Sequence, residues 1–173
     1  MANRIVLNET SYHGAGAIAE IANEAKTRAF KKAFVCSDPD LINWYFDKLV
    51  LQSFEQIGMG HTVGESLTQK FEFIVNEKVF FTEAFRSDDR NSLKEHDFEL
   101  ILQFYQDLIG RKTSRPLGED LQFLLEMYCR GSVYMTEKWV LTGMKDSPAK
   151  MSKKLVEAMP PRLAAVFEEL KLL

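Results

Sequence analysis

The chain has 173 residues, 46% of them hydrophobic and 27% charged, with a formal net charge of −3. That length supports one domain with a real apolar core. The near-balanced charge excludes a strong nonspecific pull toward nucleic acid, and no apolar window reaches the ~18 residues of a membrane span.

Residues 4–8 (RIVLN) are a short β-branched apolar run and read as a strand. Gly14 and Gly16 mark a turn. Over residues 15–30, Ile18, Ile21, Ala22, Ala25 and Ala29 recur at helical spacing. "KKAFVCSD" then reads as a second strand, and Pro39 supplies the stop. Residues 1–40 are thus expected to form a strand–helix–strand segment. By itself such a unit cannot bury both faces of its sheet.

From Leu41 the period changes. Ile42, Tyr45, Phe46 and Leu49 stand on one helix face over residues 41–57, and Gly58 and Gly60 end it. A second helix is expected over 65–85, with Leu67, Phe71, Ile74 and Val79 inward, plus Phe80 and Phe81. "RSDDRNS" is a polar turn. The next helix, 92–110, carries Leu93, Phe98, Ile101, Leu102, Tyr105 and Ile109. A run from 117 to 130 continues past Gly131 to Leu141, with Tyr134, Trp139 and Val140 as packing candidates. Two short helices, 148–158 and 161–172, close the chain, with Pro161 in the first turn of the last. Residues 41–173 therefore read as all-helical.

The residues offer little to catalysis. "HGAG", His13 to Gly16, lacks the larger sheet that frames a dinucleotide crevice, so a tight turn is the better reading. His13, His61 and His96 share no helical spacing that would complete a metal centre. His61 reads as exposed in a glycine-rich turn and His96 as lying on a polar surface. Asp88, Asp89, Asp97, Glu119 and Asp120 lie near turns or helix starts, where the helix dipole accounts for them. Cys36 and Cys129 have no metal-ligand spacing and read as core thiols in a reducing compartment; Cys129 and Ser132 lack a nucleophile's surroundings. No catalytic, cofactor-binding or metal-ligating residue is assigned, and no cofactor is expected. The opening "MANRIVLNET" lacks the apolar run of a signal peptide, so the expected location is cytoplasmic.

Three segments carry a resemblance. "DLINWYFDKL", "NEKVFFTEAFRSDDRNSLKEH" and "EKWVLTGMKDSPAKMSKKL" are similar, in order and spacing, to TetR-family regulators of the dihydroxyacetone-kinase activator type. The resemblance covers about residues 41–173. It implies a TetR-like C-terminal helical domain for regulation and dimerisation, with a homodimer interface on helices around 117–142 and a contribution from 148–158. It also implies a central cavity for a small-molecule or protein effector. Carried to this chain, the candidate ligand-cavity residues are Phe73, Phe80, Tyr105, Tyr128, Tyr134 and Trp139, with Val79 beside them.

The DNA-reading head of that family has no counterpart in residues 1–40, which hold five basic and five acidic residues. DNA binding by this chain alone is therefore not expected. "RIVLNETSYHGAGAIAEIANEAKTRAFKKAFVCSD" instead resembles the opening of iron-containing alcohol dehydrogenases of the lactaldehyde reductase branch. That family's Gly-Gly-Gly-Ser loop and its Asp and His iron ligands are absent. The expected fold class is mainly all-α, a TetR-like C-terminal domain preceded by a short β-α-β segment. The leading function is a headless regulatory module. The alternative is a truncated or chimeric product that carries a reductase-like opening without a complete active site.

Overall fold

Amphipathic periodicity dominates the sequence, and the regular elements of the computed structural model follow it. It describes residues 16–29, 39–86 and 93–173. Among them the elements are α1 (Ala17–Thr27), α2 (Pro39–Phe54), α3 (Val63–Asn76), α4 (Lys78–Arg86), α5 (Leu93–Thr113), α6 (Glu119–Leu141), α7 (Pro148–Glu157) and α8 (Pro161–Glu169). The chain divides into two compact units, Met1–Ser37 and Asp38–Leu173.

In the first unit the described element is α1. Its N-cap, Gly16, takes φ 84°, a left-handed conformation that suits a residue without a Cβ. Arg28 pairs with Glu24 at 2.7 Å one turn back. The expected β-α-β segment is corrected here. The fold is mainly all-α, and no strand occurs among the described residues. The two expected strands, 4–8 and 31–38, fall outside those residues. The physical reason lies in the signal: short apolar runs do not separate a strand from a turn of helix by period alone. Two strands without further partners would also leave sheet faces and edges open.

The second unit holds α2 to α8. Phe46, Phe54, Phe71, Phe81, Phe85 and Phe167 are the largest fully buried side chains. Burying a Phe stabilises a fold by about 1.5–3 kcal/mol, so the abundance of Phe is explained by packing. The rings meet mainly edge-on or tilted, as Phe46 and Phe81 do at 6.0 Å and 65°.

Local signals fix the helix ends. Thr62 and Glu65 form a capping box at α3: the Thr62 hydroxyl accepts from the Glu65 N–H at 3.2 Å, and the Glu65 carboxylate accepts from the Thr62 N–H at 2.7 Å. Those bonds hold the exposed Glu65 carboxyl below its usual value. Ser147 caps α7, with Pro148 in the first turn. α3 packs most extensively against α7, where the Ser152 hydroxyl donates to the Gly64 carbonyl at 2.6 Å. Leu172 closes the start of α3, its carbonyl accepting from the Val63 N–H at 2.7 Å.

The single helix expected over 65–85 is two helices. α3 ends at Asn76, Glu77 leaves the helical line at φ −103° and ψ 34°, and α4 begins afresh. The break resets the register: Phe81 and Phe85 turn inward, while Val79, expected inside, is 80% exposed.

Candidate functional site

One apolar stripe carries an anomaly. On α3, Val63, Leu67, Lys70 and Ile74 are buried at helical spacing, so a lysine occupies a core position. On α5, Leu93, Asp97, Ile101 and Tyr105 do the same with an aspartate. The two meet. Lys70 Nζ donates to Asp97 Oδ1 at 2.7 Å and Oδ2 at 2.9 Å, with the residues 6% and 0% exposed. The Lys70 ammonium also lies 5.4 Å from the Phe46 ring centre and 5.8 Å from that of Phe54. Charge is thus balanced inside an aromatic core, where either ion alone would be costly.

Two voids flank this pair. A cavity of about 20 Å³ is lined by Lys70, Tyr105, Tyr128, Ser132, Thr136 and Leu155 among others. A second, of about 10 Å³, lies among Phe46, Lys70, Phe73 and Phe81. Each has the size of a water site. The polar wall of the larger void comes from α6. Tyr128 donates to the Leu155 carbonyl at 3.1 Å, Ser132 to the Tyr128 carbonyl at 2.7 Å, and Thr136 to the Ser132 carbonyl at 2.8 Å. Tyr105 is different. It is 2% exposed and meets aromatic rings, edge-on to Phe54 at 5.9 Å and tilted on Phe167 at 5.4 Å, whereas the buried hydroxyl without a partner among the described residues is that of Ser66.

Burial sets the protonation here. It pushes the Tyr105 and Tyr128 phenols up, and it pushes the Cys129 thiol up to about 12, with the Asp97 carboxylate adding to the effect. Cys129 is fully buried, and as a neutral thiol it is a poor nucleophile.

The candidate cavity residues fall at different places. Tyr105 and Tyr128 line the larger void, and Phe73 the smaller. Phe80 is partly buried, edge-on to Phe81 at 5.1 Å. Trp139 lies against Phe71, its indole N–H donating to the Asp146 carbonyl at 3.0 Å. Tyr134 is 61% exposed on the far side of α6. Sequence reasoning missed Lys70 altogether and set Asp97 aside as a residue near a helix start. The available signal was a charge at i+7 of one apolar stripe and at i+4 of the other. His96, expected on an open polar surface, is part-buried and bonds Asp47. His61 is half-buried rather than exposed, with Nδ1 lacking a partner. Asp88 and Asp89, like His13 and Cys36, fall outside the described residues. Glu119 and Asp120 occupy the exposed first turn of α6, where the dipole argument applies. No group of three metal-ligating side chains occurs among the described residues.

The outer face of α6 is the second feature. Phe123, Met127, Tyr134, Met135 and Leu141 are between 38% and 62% exposed. They form one stripe on the side opposite the core. Gly131 lies within it, mid-helix, and a Cβ built there would meet nothing within 4 Å.

The profile of the family described as Transcriptional regulator C-terminal region, TetR_C_8, matches residues 62–160, more than half of the chain. The chain belongs to this family. The match runs from the α3 cap to the residue before α8, so the TetR_C_8 region contains the Lys70–Asp97 pair and the outer face of α6, while α2, which supplies Phe54 to the larger void and Phe46 and Val50 to the smaller, lies before it. It is a regulatory region of a family not associated with catalysis. A second, partial likeness is to lactaldehyde reductase of Escherichia coli K12 and of Escherichia coli O157:H7, each 43% identical over 42 residues. That stretch is 24% of this chain and 11% of either reductase. No solved structure matches the chain. No described helix is long and apolar enough to cross a membrane.

Proposed function

We propose that this chain is the regulatory and dimerisation module of a transcriptional regulator, responding to a small molecule or a protein partner. The observation that carries the reading is the outer face of α6, where large apolar side chains lie in water along a helix that holds an exposed glycine at its middle. Mid-helix glycine costs about 1 kcal/mol relative to alanine, and no described residue approaches Gly131 to make use of it. A second copy of α6 does so by approaching the backbone there.

Charge supports that occupant. α6 starts with Glu119 and Asp120 and carries Lys138 in its last turn. An antiparallel two-fold pair sets the acidic start of each helix beside the basic end of the other. The domain reading follows: residues 41–173 act as the regulatory domain, and residues 1–40 as a dehydrogenase-like fragment that supplies no DNA-reading head. Mixed pairing with a full-length regulator would then yield a dimer with one head.

Light scattering of the full chain tests the pairing. The expected mass is twice that of the chain, falling to one chain for Phe123→Asp while circular dichroism keeps its helical signal. A wild-type monomer across micromolar concentrations sinks the reading.

A second reading rests on the reductase likeness. A 43% identical stretch covering only 11% of a reductase is what a recombined opening would leave, and the unit boundary after Ser37 supplies the seam. On that reading the chain is a truncated or chimeric product, monomeric and without effector.

A further inference from the structure

The outer stripe of α6 carries sulfur on both sides of its glycine. Met127, Gly131 and Met135 follow one another about one helical turn apart, and the two methionines are 57% and 42% exposed. Elsewhere the described thioethers are enclosed or remote. Met151 and Met159 are 3% and 5% exposed, and Met144 is half-buried. Met59, 76% exposed, lies in the turn between α2 and α3. Cys129, on the same helix as the pair, is fully buried. The sulfur that α6 offers to solvent is therefore thioether and not thiol. A thioether is flexible and apolar, which suits it to filling the uneven space where two helices close on a glycine.

We propose that Met127 and Met135 are a modification site, and that their oxidation to the sulfoxide by a peroxide releases the α6 pair. A lone pair on sulfur attacks one oxygen of hydrogen peroxide. The S–O bond forms as the O–O bond breaks, and the proton on the transferred oxygen passes to the departing hydroxide, which leaves as water. Sulfur is oxidised by two electrons and the peroxide is reduced by two. An apolar side chain thereby becomes a polar one with a strong acceptor oxygen. Two-fold antiparallel pairing about Gly131 sets Met127 of one copy opposite Met135 of the other. Each new oxygen then meets another acceptor rather than a donor, and an acceptor buried in that way is costly. Pairing covers both thioethers, so the free chain is the form that reacts, and oxidation traps it.

This inference rests on the pairing through α6 and names its regulation. Light scattering of the full chain before and after hydrogen peroxide reads it, with peptide mass spectrometry to place the added oxygen. The expected result is a dimer that falls to one chain as Met127 and Met135 take up oxygen, with the helical circular dichroism kept and Met151 and Met159 unmodified. The dimer should weaken by at least about a hundredfold, and methionine sulfoxide reductases should restore it. Phe123→Asp, monomeric from the start, should take up oxygen at both positions faster than the wild type. Met59→Leu, away from the stripe, should respond to peroxide as the wild type does; loss of the response there overturns the assignment to α6. A dimer that persists with both sulfoxides present overturns the inference and spares the regulator reading. So does a dissociation that the reductases fail to reverse, or one that comes with loss of the helical signal. A wild type that is monomeric before any peroxide is added overturns both.

Discussion

Lys70 and Asp97 show how one pair of charges can define a core. Asp97 is 0% exposed and accepts from one ammonium through both oxygens. Breaking such a pair by removing one partner leaves an uncompensated buried charge, at a cost of about 3–5 kcal/mol. Lys70→Met and Asp97→Asn should each lose stability of that order in urea denaturation. The double variant Lys70→Met/Asp97→Leu should regain most of it, because the voids admit apolar atoms. Equal losses in single and double variants would show that the pair acts through something other than charge. Cys129 offers a second residue-level test. Its thiol is pushed up to about 12, so the folded state holds the proton that the unfolded thiol gives up at lower pH. The contribution is present below the unfolded value and is lost as pH rises toward the folded one. At pH 8 a thiol reagent should modify Cys129 only as fast as the chain unfolds; fast modification of the folded chain would contradict its burial.

At the scale of elements, capping decides where helices begin. The Thr62–Glu65 box sets the start of α3, which carries Lys70 two turns later. Thr62→Ala should cost about 1 kcal/mol, read as a lower denaturation midpoint at unchanged slope. Glu65→Gln should cost less, since an amide can still accept from the Thr62 N–H. The turn before α7 has an electrostatic counterpart. Hydrogen bonds from Lys150 and Lys154 hold the half-buried Asp146 carboxyl below its usual value. A depressed carboxylate stabilises above its unfolded pKa and loses that contribution as pH falls through the folded one. Asp146→Asn should therefore flatten the acid limb of a stability–pH curve and leave the alkaline limb unchanged. Helix identity over residues 41–173 was legible because amphipathic runs of several turns outweigh single residues. The break at Glu77 was not, because the apolar residues on both sides fit one continuous stripe and no Gly or Pro marks the stop.

Across the whole molecule, legibility falls with sequence separation. Tyr105 and Tyr128 were picked out as aromatic residues of the central helices, and both line the larger void. Their partner Lys70 was not, because a lysine is read as surface until two stripes separated by 27 residues are overlaid. Tyr134 shows the reverse case. Its helix was recognised, but which face meets the core depends on α3, α4, α5 and α8 packing around α6, and no local pattern reports that. The opening β-α-β reading failed for a related reason: a strand is defined by the partner it pairs with. Pairing through α6 also makes stability depend on concentration. Melting temperature should rise with chain concentration in the wild type and become independent of it in Phe123→Asp; a wild type without that dependence would argue against the interface.

Trp139 is one of only two tryptophans in the chain. Its ring lies 5.3 Å from that of Phe71, and its N–H is fixed on the Asp146 carbonyl just before α7. An indole so enclosed fluoresces at short wavelength and shifts to the red when water reaches it. With Trp44→Phe removing the other emitter, the colour of Trp139 becomes a built-in gauge of the turn between α6 and α7. Any event that lifts α7 from its place would be visible there without a label.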